Sequence, residues 1–177
     1  AYKLPEEKDA FSKDMFEEAE IVPYIPAFIK EQEGILWRRM MKLQNIEEQN
    51  DERYLCYRPI EVFRIFHNEV DKEEVELYKL LIAVGQDLVK LQPVVSDYLE
   101  WLNNCDDKLT EYIQEQLGEL LPDNWTEDIE VYTASIVFNS VDDYGATISL
   151  GADSVFGDHI VELDFDKREI EGNRLNG

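Results

Sequence analysis

This chain is short of positive charge. Its 177 residues hold 17 Lys and Arg against 40 Asp and Glu, a formal net charge of -23. A free-standing nucleic-acid binder needs basic side chains to neutralise phosphates and release counterions, so that class is excluded. Anionic membranes repel such a chain in the same way. Cysteine is scarce too. Cys56 and Cys105 do not make a disulfide framework, and each reads as a small buried apolar residue of a reducing, cytoplasmic compartment. Long apolar runs are missing. The longest aliphatic one, Leu80 to Val84, has five residues against the roughly 20 that span a bilayer, and the first twenty residues are charged. Glycine-rich phosphate loops, C-x-x-C pairs and a G-x-S-x-G nucleophile context are all absent.

What is present belongs to a folded protein. Hydrophobic residues make up 44% of the chain, with 3 Trp, 9 Tyr and 8 Phe, a supply of aromatics that acidic disordered tails lack. The length is enough for a sizeable core.

The pattern predicts an α+β fold with a helical middle of three to five helices and an antiparallel sheet from the C-terminal third. Residues 1–53 read as a helical extension and 54–177 as the α+β domain. In the extension, Phe11, Met15 and Phe16 suit a short helix before Pro23 and Pro26, and Ile29, Leu36, Met40 and Leu43 predict a helix over 27–48. Aromatic and β-branched residues in 54–57 and 60–67 predict one or two strands, with Pro59 at a strand end. Asp71 and Glu74 have capping-box spacing, and Leu77, Leu80, Leu81, Val84, Leu88 and Leu91 then predict a helix face. Pro93 ends that helix or opens the next, over about 94–104. A third helix follows Asp106 or Asp107, with Leu109, Ile113, Leu117 and Leu120 on one side. From Ile129 the period is mostly two, which predicts strands through 135–138, 146–151, 159–165 and 169–170, with a hairpin turn at Asp166-Lys167.

Chemistry-bearing constellations are few. His159 beside Asp158 invites a general-base reading, but neighbours in a strand point to opposite faces. His67 has no second histidine within four residues and is a poor metal site. Asp164, Asp166 and Glu169 alternate, yet Lys167 and Arg168 stand where calcium ligands belong, so a solvated hairpin is expected. No cofactor or metal is implied. Tyr98, Trp101 and Trp125 are core residues or, if exposed among carboxylates, anchors for a partner.

Two stretches resemble a small bacterial family of helix-then-sheet domains. One is D-Y-L-E-W-L-x-x-C-D-D-K-L-x-x-Y-I-x-E-x-L, from Asp97 to Leu117. The other is F-G-D-H-I-V-E-L-D-F-D-K-R-E-I-E-G, from Phe156 to Gly172. Members of that family resemble immunity proteins of polymorphic or contact-dependent toxin systems. The resemblance implies a non-catalytic inhibitor whose partner is a cognate toxin, and it carries no active site.

The charge distribution agrees with such a partner being basic. Residues 1–92 hold 20 acids and 13 bases, whereas 93–177 hold 20 acids and only 4 bases. The expected binding carboxylates are therefore Asp106, Asp107, Glu111, Glu115 and Glu119, with Asp153, Asp158 and Glu162 around the terminal loop. Glu111, Glu115 and Glu119 recur every four residues, a one-face spacing on a helix. A carboxylate-rich surface competes for the field of a nuclease site and speeds association by steering. An acidic adaptor for a different complex is the alternative, and a small hydrolase centred on His159 is a third. The oligomeric state is left open by the sequence.

Overall fold

The computed structural model describes residues 41–176, and the expected helices before residue 41 lie outside them. A mixed seven-stranded sheet dominates. In chain order its strands are β1 (Leu43–Asn45), β2 (Tyr54–Pro59), β5 (Tyr78–Ala83), β6 (Ile129–Ser140), β7 (Asp143–Ala152), β8 (Ile160–Asp166) and β9 (Glu169–Asn176). A separate hairpin joins β3 (Arg64–Ile65) to β4 (Asn68–Glu69). Three helices are described: α1 (Leu88–Asn103), α2 (Asp106–Leu117) and the four-residue α3 (Asp153–Phe156). The α+β class stands, with more sheet and less helix than the sequence pattern predicts.

The spatial order is β1-β2-β5-β6-β7-β8-β9. All pairs are antiparallel except β5 and β6, so the antiparallel sheet expected of the C-terminal third, β6 to β9, is present as part of a larger mixed sheet. A parallel pair needs a crossover. Here α1 and α2 supply it, and both bury their apolar sides on one face of the sheet.

The sharpest departure is β5. The spacing of Leu77, Leu80, Leu81 and Val84 fits a helix, but the chain there is a central strand. Leu80 and Ile82 are buried, Lys79 is exposed and Leu81 is half-buried, which is the period of two. A short apolar run satisfies either pattern, and the flanking breaker decides. Gly85, at φ 89°, ends the strand. Asp87 then caps α1, its Oδ1 accepting from the backbone N–H groups of Val89 and Lys90. Asp71 caps no helix; its Oδ1 accepts from Glu73 N–H in a turn. Pro93 does not break α1. The carbonyl its ring deprives of a donor belongs to Val89, an exposed residue in the first turn.

Leu43 is the second departure. It is a buried strand residue paired with Pro59, so the predicted helix over 27–48 does not run through 41–48. Leu43–Asn45 of the N-terminal extension belong to the sheet, and Glu47–Gln49 form a single 3-10 turn. The expected strand over 60–67 is the β3–β4 hairpin instead, turning at Phe66 and His67 with φ 50° and 67°. Positive φ at a buried phenylalanine is costly, and tertiary contacts hold it. Phe66 N–H donates to Leu102 O at 3.1 Å, His67 N–H to Asn103 Oδ1 at 2.8 Å, and the Phe66 ring lies 6.2 Å from Phe165.

The core lies between the helices and the sheet. Leu91, Val95, Tyr98, Leu99 and Leu102 of α1 pack with Leu109 and Ile113 of α2 against Ile136, Phe138, Ile148 and Leu163. Tyr98 and Trp125 are core residues, and their polar ends are satisfied: Tyr98 OH donates to Lys167 O, and Trp125 Nε1 to Thr110 Oγ1. Burial pushes the Tyr98 phenol well above its usual range.

Gly145 sits where β7 approaches β8. A Cβ there would meet the Phe165 carbonyl oxygen at 2.3 Å, so any side chain drives the strands apart. Gly145→Ala is expected to cost about 2 kcal/mol in urea unfolding. The same change at Gly172, where nothing lies near a Cβ, should cost under about 1 kcal/mol.

Both cysteines are buried free thiols, as expected. Burial pushes Cys105 up to about 12, from an ordinary 9.0. A raised thiol pKa means that the unfolded chain ionises first. This contribution is complete below pH 9 and is lost as pH rises toward 12. Raising the pH from 8 to 10 should cost the native protein about 1 kcal/mol through this group. Cys105→Ala should flatten that part of the pH profile.

Candidate acidic binding surface

The open face of the sheet, away from the helices, is one part of the candidate surface. Thr147 pairs with Asp164 and Ser135 with Thr147, so these side chains form one row across the strands. Glu162, Asp164 and Asp166 alternate with the core residues Val161, Leu163 and Phe165, and so point to the open face. At its β6–β7 end lies an open concavity of about 300 Å³, rimmed by Asp143, Asp164, Asp166 and Glu171. Gly145 is part of its floor, so the bare glycine that lets β7 and β8 close up also keeps the concavity clear. Glu162 and Asp164 are engaged: Arg174 pairs with both, Ser149 Oγ donates to Glu162 and Thr147 Oγ1 to Asp164. Asp143, Asp166 and Glu171 have no ion pair among the described residues.

The solvent side of α2 is the other part. Asp107, Glu111 and Glu115 are exposed along it, while Leu109 and Ile113 are buried beneath. Asp106 and Asp107 sit in the first turn, where the helix dipole favours negative charge. Glu119 is not on this face. Gly118, at φ 70°, closes the helix by donating its N–H to Gln114 O, and the chain leaves the helix before Glu119. Asp106 is tied to the protein itself, both its oxygens lying 2.9 Å from His67 Nε2.

The expected carboxylates therefore do not form one patch. Asp107, Glu111 and Glu115 stand together on the helix side. Glu162 is on the opposite face of the sheet, and Asp153 and Asp158 are exposed around α3 and the loop after it. The open-face group of Asp143, Asp166 and Glu171 escaped the sequence reading, because turn and hairpin composition accounts for each carboxylate locally. The signal that would have found it is strand alternation from Val161 to Asp166, with Asp143 opening the neighbouring strand.

His159 is exposed, and among the described residues no side chain bonds its ring. Its N–H donates to Phe156 O. Trp101 is half-buried, stacked 5.8 Å from Tyr98 with the Arg168 guanidinium 5.7 Å over its ring. Among the described residues no group of three or more His, Cys, Asp or Glu is placed to hold a metal ion, and no helix is long and apolar enough to cross a membrane. Comparison of the chain with protein-family models, with curated proteins and with solved structures found no match.

Proposed function

We propose that this chain is an immunity-type protein that binds a cognate bacterial toxin with a basic surface and neutralises it. A basic nuclease is the toxin class its charge fits best. The observation that carries this reading is the set of exposed carboxylates without ion pairs among the described residues, Asp107, Glu111 and Glu115 on α2 and Asp143, Asp166 and Glu171 on the open face, in a chain of net charge -23. Like charges held on a rigid sheet-and-helix frame repel one another, and a cationic partner relieves that repulsion. The sequence resemblance to immunity proteins supports the same partner class. The work is binding rather than turnover, and its place is the cytoplasm, where a nuclease toxin meets its substrate.

The test is co-purification with the product of the neighbouring gene, followed by association kinetics at increasing salt. Nanomolar binding is expected, with an on-rate that falls steeply as screening shortens the reach of the charges. An on-rate indifferent to salt would sink the electrostatic reading.

A further inference from the structure

Strand β9 is the last strand of the sheet. One edge pairs with β8 from Asp166↔Glu169 to Ile160↔Asn176, and no described residue pairs with the other. The two edges of the sheet differ. β1 has three residues, whereas β9 has eight and holds neither Pro nor Lys; its register with β8 shifts once, at Glu171, and Arg174 is its one basic residue. Among the described residues, the outward backbone donors and acceptors of this edge have no partner.

Its two sides are chemically distinct. On the open face, Glu171 rims the carboxylate concavity with Asp166 and Asp143. On the helix side, Leu175 is opposite the core residue Val161 yet is 62% exposed. Helix α2 runs along that side, with Lys108 paired to Glu169 and Asn173 donating to Tyr112 OH and Gln116 Oε1. Leu117, the last residue of α2, and Leu120 beyond it are exposed as well.

We propose that β9 is a docking strand that takes an extended segment of the basic partner as an eighth strand of the sheet. Alternate side chains of an added strand fall on opposite faces. The segment that fits places basic residues toward Asp166 and Glu171, away from Arg174, and apolar ones toward Leu175. A second copy of this chain is the poorer occupant, because self-pairing at β9 brings together two chains of net charge -23. The inference rests on the proposed basic partner and adds where and how it docks.

A fluorescent octapeptide of alternating lysine and valine, titrated into the full chain, tests it. A second peptide with every backbone amide N-methylated keeps every charge and side chain but has no N–H on either edge to donate to the strand ladder. At least tenfold weaker binding of the methylated peptide is expected, together with slowed amide hydrogen exchange confined to Glu169–Asn176. Leu175→Lys should weaken the unmethylated peptide at least tenfold. Equal affinity of the two peptides, or protection on α2 instead of β9, would overturn the docking strand. So would a dimer of the chain that Leu175→Lys dissolves. If the toxin still binds Leu175→Lys at full affinity, the edge proposal fails and the acidic inhibitor stands. If no basic protein binds at all, both fail.

Discussion

Truncating Phe138 to alanine should lower the unfolding free energy by about 3–5 kcal/mol, read as a shift in urea midpoint at unchanged slope. Phe138 is fully buried near the middle of the sheet, on the face that carries α1. Its ring meets Tyr98 edge-on at 5.9 Å and stacks on Tyr144 at 5.6 Å. Such geometry adds to the burial of the ring itself. Tyr98 is in turn fixed by its bond to Lys167 O, 2.6 Å away in the β8–β9 turn. The rings therefore link β6, β7, α1 and the last hairpin, and alanine leaves a hole that none of the four can close alone. Val137 is the control. It is one residue away, on the opposite face and half-buried, and Val137→Ala should cost under about 1 kcal/mol. Comparable losses at both positions would mean that the two faces of the sheet are equally buried.

The same contrast between faces explains what the sequence disclosed. From Ile129 onward, strand alternation holds between a few register shifts, and the hairpin at Lys167–Arg168 lies within one residue of its expected turn. Helix α2 and the part of α1 after Pro93 were legible because Val95, Tyr98, Leu99 and Leu102, and Leu109 and Ile113, recur at helical spacing, whereas Leu88 and Leu91 of the same helix read as the end of a preceding one. Strand β5 was not. Its run is six residues, and Leu80 and Leu81 suit a helix stripe as well as a strand whose outer face is half-covered. The pairing that settles it, Leu80 with Ile136 and Ile82 with Phe138, joins residues more than fifty positions apart. Local spacing has no access to that partner. The candidate surface was legible in kind and not in place. Net charge announces an acidic surface, but only the sheet register brings Asp143 beside Asp164 and Asp166, and only the αL turn at Gly118 removes Glu119 from the face of α2.

Neutralising Asp107, Glu111 and Glu115 on α2 together with Asp143, Asp166 and Glu171 on the open face should slow toxin association about 10- to 100-fold at low salt. The six amide substitutions (Asp→Asn, Glu→Gln) keep shape and hydrogen-bonding size while moving the net charge from -23 to -17. These six make no ion pair among the described residues and all are exposed, so the native state loses no internal partner. Removing like charges from one molecule offsets the loss of the Asp107 carboxylate from the first turn of α2, so stability should change by under about 1 kcal/mol. The effect on binding comes from the long-range field, which sets how often a correctly oriented encounter occurs, so it belongs to the on-rate and fades as salt screens it. Stopped-flow association at 20 mM and 500 mM NaCl separates the terms. The two proteins should differ strongly at low salt and converge at high salt, with off-rates within a few-fold. Splitting the variant into its two triads locates the approach. A triad that leaves the on-rate untouched lies on a face turned away from the toxin, whereas equal losses from both place the encounter at the β9 edge between them. If the sixfold variant associates as fast as the parent at low salt, the carboxylates are solvated surface and the acidic-inhibitor reading is wrong.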